Sequence, residues 1–205
     1  MTNSSFLSRR TFLAAAPSLV AVSGIAKANT PTDARLSPRI IGSPTAPVLV
    51  QEWFSLTCTH CAHFATEEFP KIHEQFIDTG KIRYQFHDFP LDQIGLIAAM
   101  IARSLPASRY ETFILSLFSR QMQWAFSSGD PLQHLKQEAA LAGISPQQFD
   151  AIRQDKTFAK ALYDQAQLDG SNYNIQGTPY FRFNNNAYAQ DPETVEKFAE
   201  LVSKA

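Results

Sequence analysis

Cysteine is nearly missing from this sequence, with two among 205 residues. That scarcity excludes a scaffold stapled by several disulfides, which needs many well-separated pairs. It also excludes a four-cysteine zinc site. Missing too is any apolar run approaching the roughly 20 residues that a membrane-spanning helix requires. Charge of one sign is scarce: 18 basic and 19 acidic residues give a net of −1, and residues 29–205 carry 15 basic against 19 acidic. Mild acidity favours solubility and offers no basic surface, so no nucleic-acid partner is expected. There is no internal repeat and no low-complexity tract, which sets repeat arrays and disordered linkers aside.

What is present points to a packed core: 44% of residues are hydrophobic and 16 are Phe. The N-terminus reads as an export signal over 1–28. Arg9 and Arg10 supply charge, 12–25 is a short apolar run, and Ala26-Lys27-Ala28 has the small-x-small form of a cleavage site. Ser8-Arg9-Arg10-Thr11-Phe12-Leu13 resembles a twin-arginine signal, although Ala14 stands where a lysine is often seen; the alternative is an ordinary secretory signal. Either route delivers the protein, cleaved near Ala28, to an oxidising compartment, and a periplasmic location is expected.

Beyond an extended, Pro- and Thr-rich stretch (29–47), Val48–Phe54 has the β-branched, aromatic run of a buried strand, with Glu52 as its exception. Cys58, Ala62, Ala65, Phe69, Ile72 and Phe76 mark one face of a helix over 58–79, kinked at Pro70 and stopped at Gly80. Alternation over 81–89 predicts a second strand. Helices are expected over 92–105 and 109–124, the latter with Tyr110, Phe113, Leu117 and Met122 in the core. Asp130-Pro131 and Ser145-Pro146 are N-cap and N1 pairs that open two more. Strand character returns over 179–188, folded back at Asn184-Asn185-Asn186, and Asp191-Pro192 opens a last helix containing Val195, Phe198 and Leu201. The order β-α-β, helices, β-β-α predicts an α/β thioredoxin-like fold: a thioredoxin-like domain from 48–91 and 171–205, with a helical domain inserted over 92–170.

The chemistry concentrates at Cys58-Thr59-His60-Cys61, where a strand gives way to a helix. Two cysteines three positions apart close too small a loop to stabilise a fold, so their purpose is chemical. Thiolate is the nucleophile, and the first turn of a helix, with free N–H donors and its positive dipole end, lowers a thiol pKa. Cys58 is therefore the attacking sulfur and Cys61 the resolving one, with His60 adding charge when protonated. His60 and His63 could complete a metal site only with strained geometry, so no metal and no cofactor is expected. Gly177-Thr178-Pro179 precedes the last strands, and its X-Pro bond is either cis in a tight turn or trans at an edge strand. Glu52 either faces water or is buried with a raised pKa, relaying a proton to or from Cys61; Arg83 is its candidate partner. His87 is placed near a strand end, and His73 and His134 on solvent-facing helix surfaces.

The run Glu52-Trp53-Phe54-Ser55-Leu56-Thr57-Cys58-Thr59-His60-Cys61 resembles the active-site region of the DsbA-like thioredoxin family. Phe89-Pro90-Leu91-Asp92 and Gly177-Thr178-Pro179 resemble its later landmarks, and the similarity covers about 38–203. The resemblance implies a thioredoxin fold, a cis bond before Pro179, and substrate contacts at Thr59, Thr178 and Pro179, with the Thr178 backbone pairing with the substrate chain. Thr59-His60 stands where the best-known oxidase of the family has Pro-His, and Thr178 before the proline is common also in isomerases. Both departures leave the redox potential open. The expected activity is oxidation of protein dithiols in exported substrates, reset by a membrane redox partner. The alternatives are an isomerase or reductase kept reduced by such a partner, and a copper(I) carrier using both thiolates. The short stretch before the first strand holds no dimerisation domain, and a monomer is expected.

Overall fold

In the computed structural model, residues 1–2 and 33–205 are described. Residues 3–28 of the expected export signal lie outside them. Five strands form one sheet in the order β1-β3-β2-β4-β5. The central pair, β2 (Val48–Phe54) and β3 (Ile82–Asp88), is parallel, and the helical run between them makes the crossover. β1 (Arg39–Gly42) pairs antiparallel with β3, and β4 (Tyr180–Phe183) antiparallel with β2. β5 (Asn186–Tyr188) closes a hairpin on β4 through Asn184, whose φ of 52° suits an asparagine at a tight turn. The stretch expected to lie extended before the first predicted strand thus also supplies an edge strand.

The crossover is one continuous helical run over 59–77, built from α1 (Thr59–His63), a π turn (Phe64–Glu68), α2 (Phe69–Ile72) and a second π turn (His73–Ile77). Pro70 has no N–H to give, and the chain widens in front of it: the Phe69 N–H bonds Phe64 O, five residues back. Gly80, at φ 71°, follows the run and lets the chain turn towards β3. The buried face carries Cys61, Phe64, Ala65, Phe69, Ile72 and Phe76 against Tyr84, Phe86, Phe181 and Phe183 of the sheet.

Between β3 and β4 lie α3 (Gln93–Ser104), α4 (Ala107–Ser119), α5 (Gln121–Trp124), α6 (Pro131–Leu141), α7 (Pro146–Gln154) and α8 (Lys156–Tyr173). Asp130 and Ser145 cap α6 and α7, the latter in a full capping box with Gln148. The helix predicted over 109–124 is broken at Arg120. Met122 is exposed and Trp124 is in the core, which corrects the assignment of Met122: helical spacing from Tyr110, Phe113 and Leu117 leads to Trp124 and passes Met122 by. The last helix, α9 (Val195–Ser203), is capped by Thr194, not opened by Asp191-Pro192; Asp191 instead accepts the Glu193 N–H. Among the described residues, no helix is long and apolar enough to cross a membrane.

A buried ionic cluster ties these helices to the sheet. Asp88, at the end of β3, meets the Arg103 guanidinium and accepts the Tyr110 hydroxyl at 3.0 Å, while Arg103 also donates to the carbonyls of Arg35 and Ser37. Removing one member leaves an unpaired charge in the core, so Asp88→Ala is expected to cost about 3–5 kcal/mol in urea unfolding. A loss under about 1 kcal/mol would mean that water solvates the cluster.

Candidate active site

Strand β2 delivers the chain into the turn Ser55-Leu56-Thr57, where the Cys58 N–H bonds Ser55 O at 3.0 Å and the Ser55 and Thr57 hydroxyls bond at 2.9 Å. Cys58 is the N-cap of α1, and its sulfur accepts the Cys61 N–H at 3.4 Å. A thiol at this position meets backbone donors that helix geometry leaves free. The pKa of Cys58 falls to about 5, first through a hydrogen bond from the Cys61 thiol, against the opposing effect of burial, with help from Thr178 and the backbone N–H groups of Cys61 and His60. Cys61 is driven the other way, well above an ordinary thiol, by burial first and by its neighbour Cys58 second. It is 0% exposed. One helix turn therefore separates an acidic thiol, largely covered but still 9% exposed, from an inert one with no exposure.

The Thr178–Pro179 peptide is cis. It brings Thr178 O to 3.3 Å from Cys58 Sγ, within reach of the thiol proton. A groove beside the sulfur is lined by His60, Gly177, Thr178, Pro179 and Asp191. Thr59 and His60, the two residues after Cys58, are exposed, while Cys58 is 9% exposed.

Glu52 is 4% exposed, and its pKa rises to about 8, with burial as the main cause. Its partner is not Arg83. Neighbouring residues on a strand point to opposite faces, and Arg83 reaches Pro44 O on the far side. Tyr84, on the face shared with Glu52, donates its hydroxyl to Oε2 at 2.7 Å, and Oε1 is buried without a partner. Cys61 and Glu52 lie close enough that the charge of one acts on the proton of the other.

Two residues at the site carried no distinguishing signal in sequence. Tyr84 read as a core aromatic of a strand, and its hydroxyl matters only because parity sets it on Glu52. Gln121 of α5 donates to Leu56 O and Cys58 O, both at 2.9 Å, across more than 60 residues of chain. His63 ends α1 two residues after Cys61, and the other three histidines lie on other elements. His87 is on the opposite face of β3, stacked on Trp53 at 4.2 Å and 3.4 Å from Asp169. His73 is held between Asp78 and Glu111 instead of facing open solvent, and His134 meets Ser127.

Comparison with known proteins agrees with this geometry. The family model described as thioredoxin matches residues 35–204. The crystal structure of Wolbachia pipientis alpha-DsbA1 superposes with a TM-score of 0.72 and 30% identity, covering 82% of this chain and 90% of that one. The Chlamydia trachomatis DsbA structure, 19% identical with a TM-score of 0.70, shares the fold. Disulfide bond formation protein D of Bacillus subtilis is 28% identical in an alignment of 182 positions that covers 80% of this chain and 78% of its own length. A Rickettsia typhi protein named as a protein-disulfide oxidoreductase is 30% identical over 146 residues, 71% of this chain. The chain spans about half the length of that Rickettsia relative, 54%. With its inserted helices, its paired cysteines and a match running from residue 35 to residue 204, the chain belongs to the DsbA-like thiol–disulfide oxidoreductases of the thioredoxin superfamily.

Proposed function

We propose that this protein oxidises dithiols of exported polypeptides in the periplasm, donating the disulfide of Cys58 and Cys61. The carrying observation is the split between the two thiols, Cys58 held near 5 and Cys61 pushed well above its ordinary value. A substrate thiolate attacks Cys58 Sγ of the disulfide, forming a substrate–Cys58 bond and expelling Cys61 as a thiolate. Buried Cys61 takes a proton, and Glu52 is the donor through Oε1, the oxygen that Tyr84 leaves free. The second substrate thiolate then attacks its own partner sulfur and releases the Cys58 thiolate. Two electrons and the protons that accompany them have passed to the protein, and a membrane redox partner removes them to restart the cycle.

Thr178 presents its backbone carbonyl beside the sulfur, where an extended substrate strand can pair with it, and Pro179 lines the same groove; Thr59, exposed next to Cys58, is the further substrate contact in this reading. His60 is exposed beside Cys58 and adds favourable charge to the thiolate when protonated. The export signal over 1–28 is the route to the compartment, and the protein works as a monomer on the substrate.

The split sets the direction of exchange. A thiolate stable at pH 7 stabilises the reduced form, and two decades between pH 7 and a pKa of about 5 make the pair about 60 mV more oxidising than ordinary thiols would be. Equilibration in glutathione buffers at pH 7 is expected to give about −120 to −160 mV, and a value below about −220 mV would mark a reductant and overturn the oxidase reading. The potential should fall about 30 mV per pH unit above pH 5, where reduction takes up one proton on Cys61. Below pH 5, where Cys58 is protonated as well, the slope doubles.

A further inference from the structure

We propose that Gln121 is a positioning residue for the redox site, its side-chain amide holding the turn that carries Cys58 from the side of the inserted helices. The proposal rests on the thiol–disulfide reading above. Gln121 Nε2 donates to Leu56 O and to Cys58 O, each at 2.9 Å, and the residue is 3% exposed. The Cys58 carbonyl also accepts the Ala62 N–H at 3.1 Å, the bond that starts the helical run. Two carbonyls with their negative ends turned towards Gln121 are turned away from the sulfur. The N–H groups of His60 and Cys61 are left to face it.

The match is chemical as well as geometric. A primary amide has two donor hydrogens on one nitrogen and carries no charge; serine or threonine would serve one carbonyl, and lysine would bury a full charge. Local structure aims it. α4 ends at Arg120, φ −113°, and Gln121, four residues after buried Leu117, opens α5 facing inward while Met122 points to solvent. A glutamine that served only to satisfy two buried acceptors would support the fold in both redox states alike. One that fixes the peptides around Cys58 supports the thiolate, and hence the reduced state, above all.

Reduced wild-type protein and Gln121→Met are compared by thiolate absorbance against pH and by unfolding of the reduced and oxidised forms. The Cys58 midpoint is expected to rise by about one pH unit, a tenfold change in the thiol–thiolate equilibrium, and the reduced form to lose more stability than the oxidised one. An unmoved midpoint with equal losses in both forms overturns the proposal. Gln121→Glu keeps the size and replaces both donors by acceptors, and a larger rise is expected. Should neither variant fold, nitrogen NMR of the wild type decides: the Gln121 side-chain amide shifts with the Cys58 midpoint near pH 5, and an amide that does not shift overturns the proposal. None of these readings uses a substrate, so a wild-type protein that fails to oxidise dithiols would count against the proposed function alone.

Discussion

Replacing Cys61 with serine is expected to turn the protein into a covalent trap. Cys58 in Cys61→Ser keeps its position at the N-cap of α1 and its backbone donors, so it still attacks a disulfide sulfur of a partner protein. The product is a mixed disulfide, and the thiol that resolves it in the wild type lies one helix turn away. An intramolecular thiol acts at an effective concentration far above that of millimolar glutathione, so its loss should lengthen the life of the adduct by at least about a thousandfold. Cys61 is buried and protonated when free, which lowers its intrinsic rate without removing that proximity. In a periplasmic extract resolved without reductant, Cys61→Ser should carry protein adducts that dithiothreitol releases. Cys58→Ser should carry none. Adducts on Cys58→Ser with none on Cys61→Ser would reverse the two roles and remove the asymmetry from the mechanism.

The redox pair was legible because its chemistry fits within one helical turn, and local sequence dictates local geometry. β2 and β3 were legible for a related reason: each writes its pattern within seven residues. What sequence pattern left out depends on contacts between distant segments. β1 is four residues long and becomes a strand only because β3 offers it an open edge. The expected helix over 109–124 has Tyr110, Phe113 and Leu117 on one face, which at about 3.6 residues per turn continues to Gln121 and Trp124 and not to Met122. The chain breaks it at Arg120, and Trp124 takes the interior place with its indole N–H on Leu117 O. Arg83 is attractive as a partner for Glu52 on charge alone, whereas the pairing of β2 with β3 sets Tyr84 on the face of Glu52. Parity outranks charge here because a side chain on the wrong face of a sheet cannot reach its partner.

Glu52→Gln is expected to raise the stability of the reduced protein at neutral pH and to flatten its pH dependence. The folded-state pKa of Glu52 is raised to about 8, while the unfolded chain ionises near 4.5. A group of this kind supports the fold fully below the unfolded value, and its support is lost as pH rises towards the folded one. At pH 7 the unfolded chain has ionised and the folded protein has not, a penalty on the order of 3 kcal/mol that glutamine does not carry. Against this, the new amide has donors with no acceptor waiting on the Oε1 side, which costs about 1–2 kcal/mol. The net gain at pH 7 should be about 1–2 kcal/mol, turning to a loss of about 1–2 kcal/mol at pH 4 where only the amide cost remains. Urea unfolding of both proteins at pH 4, 5.5 and 7 measures it, and an equal slope in the two would show that another group titrates. The same substitution removes the proton donor beside Cys61, so expulsion of Cys61 as the mixed disulfide forms should slow by at least about tenfold. Stability gained and turnover lost in one variant is the signature of a buried acid kept for chemistry, because a carboxyl retained for the fold would lose both.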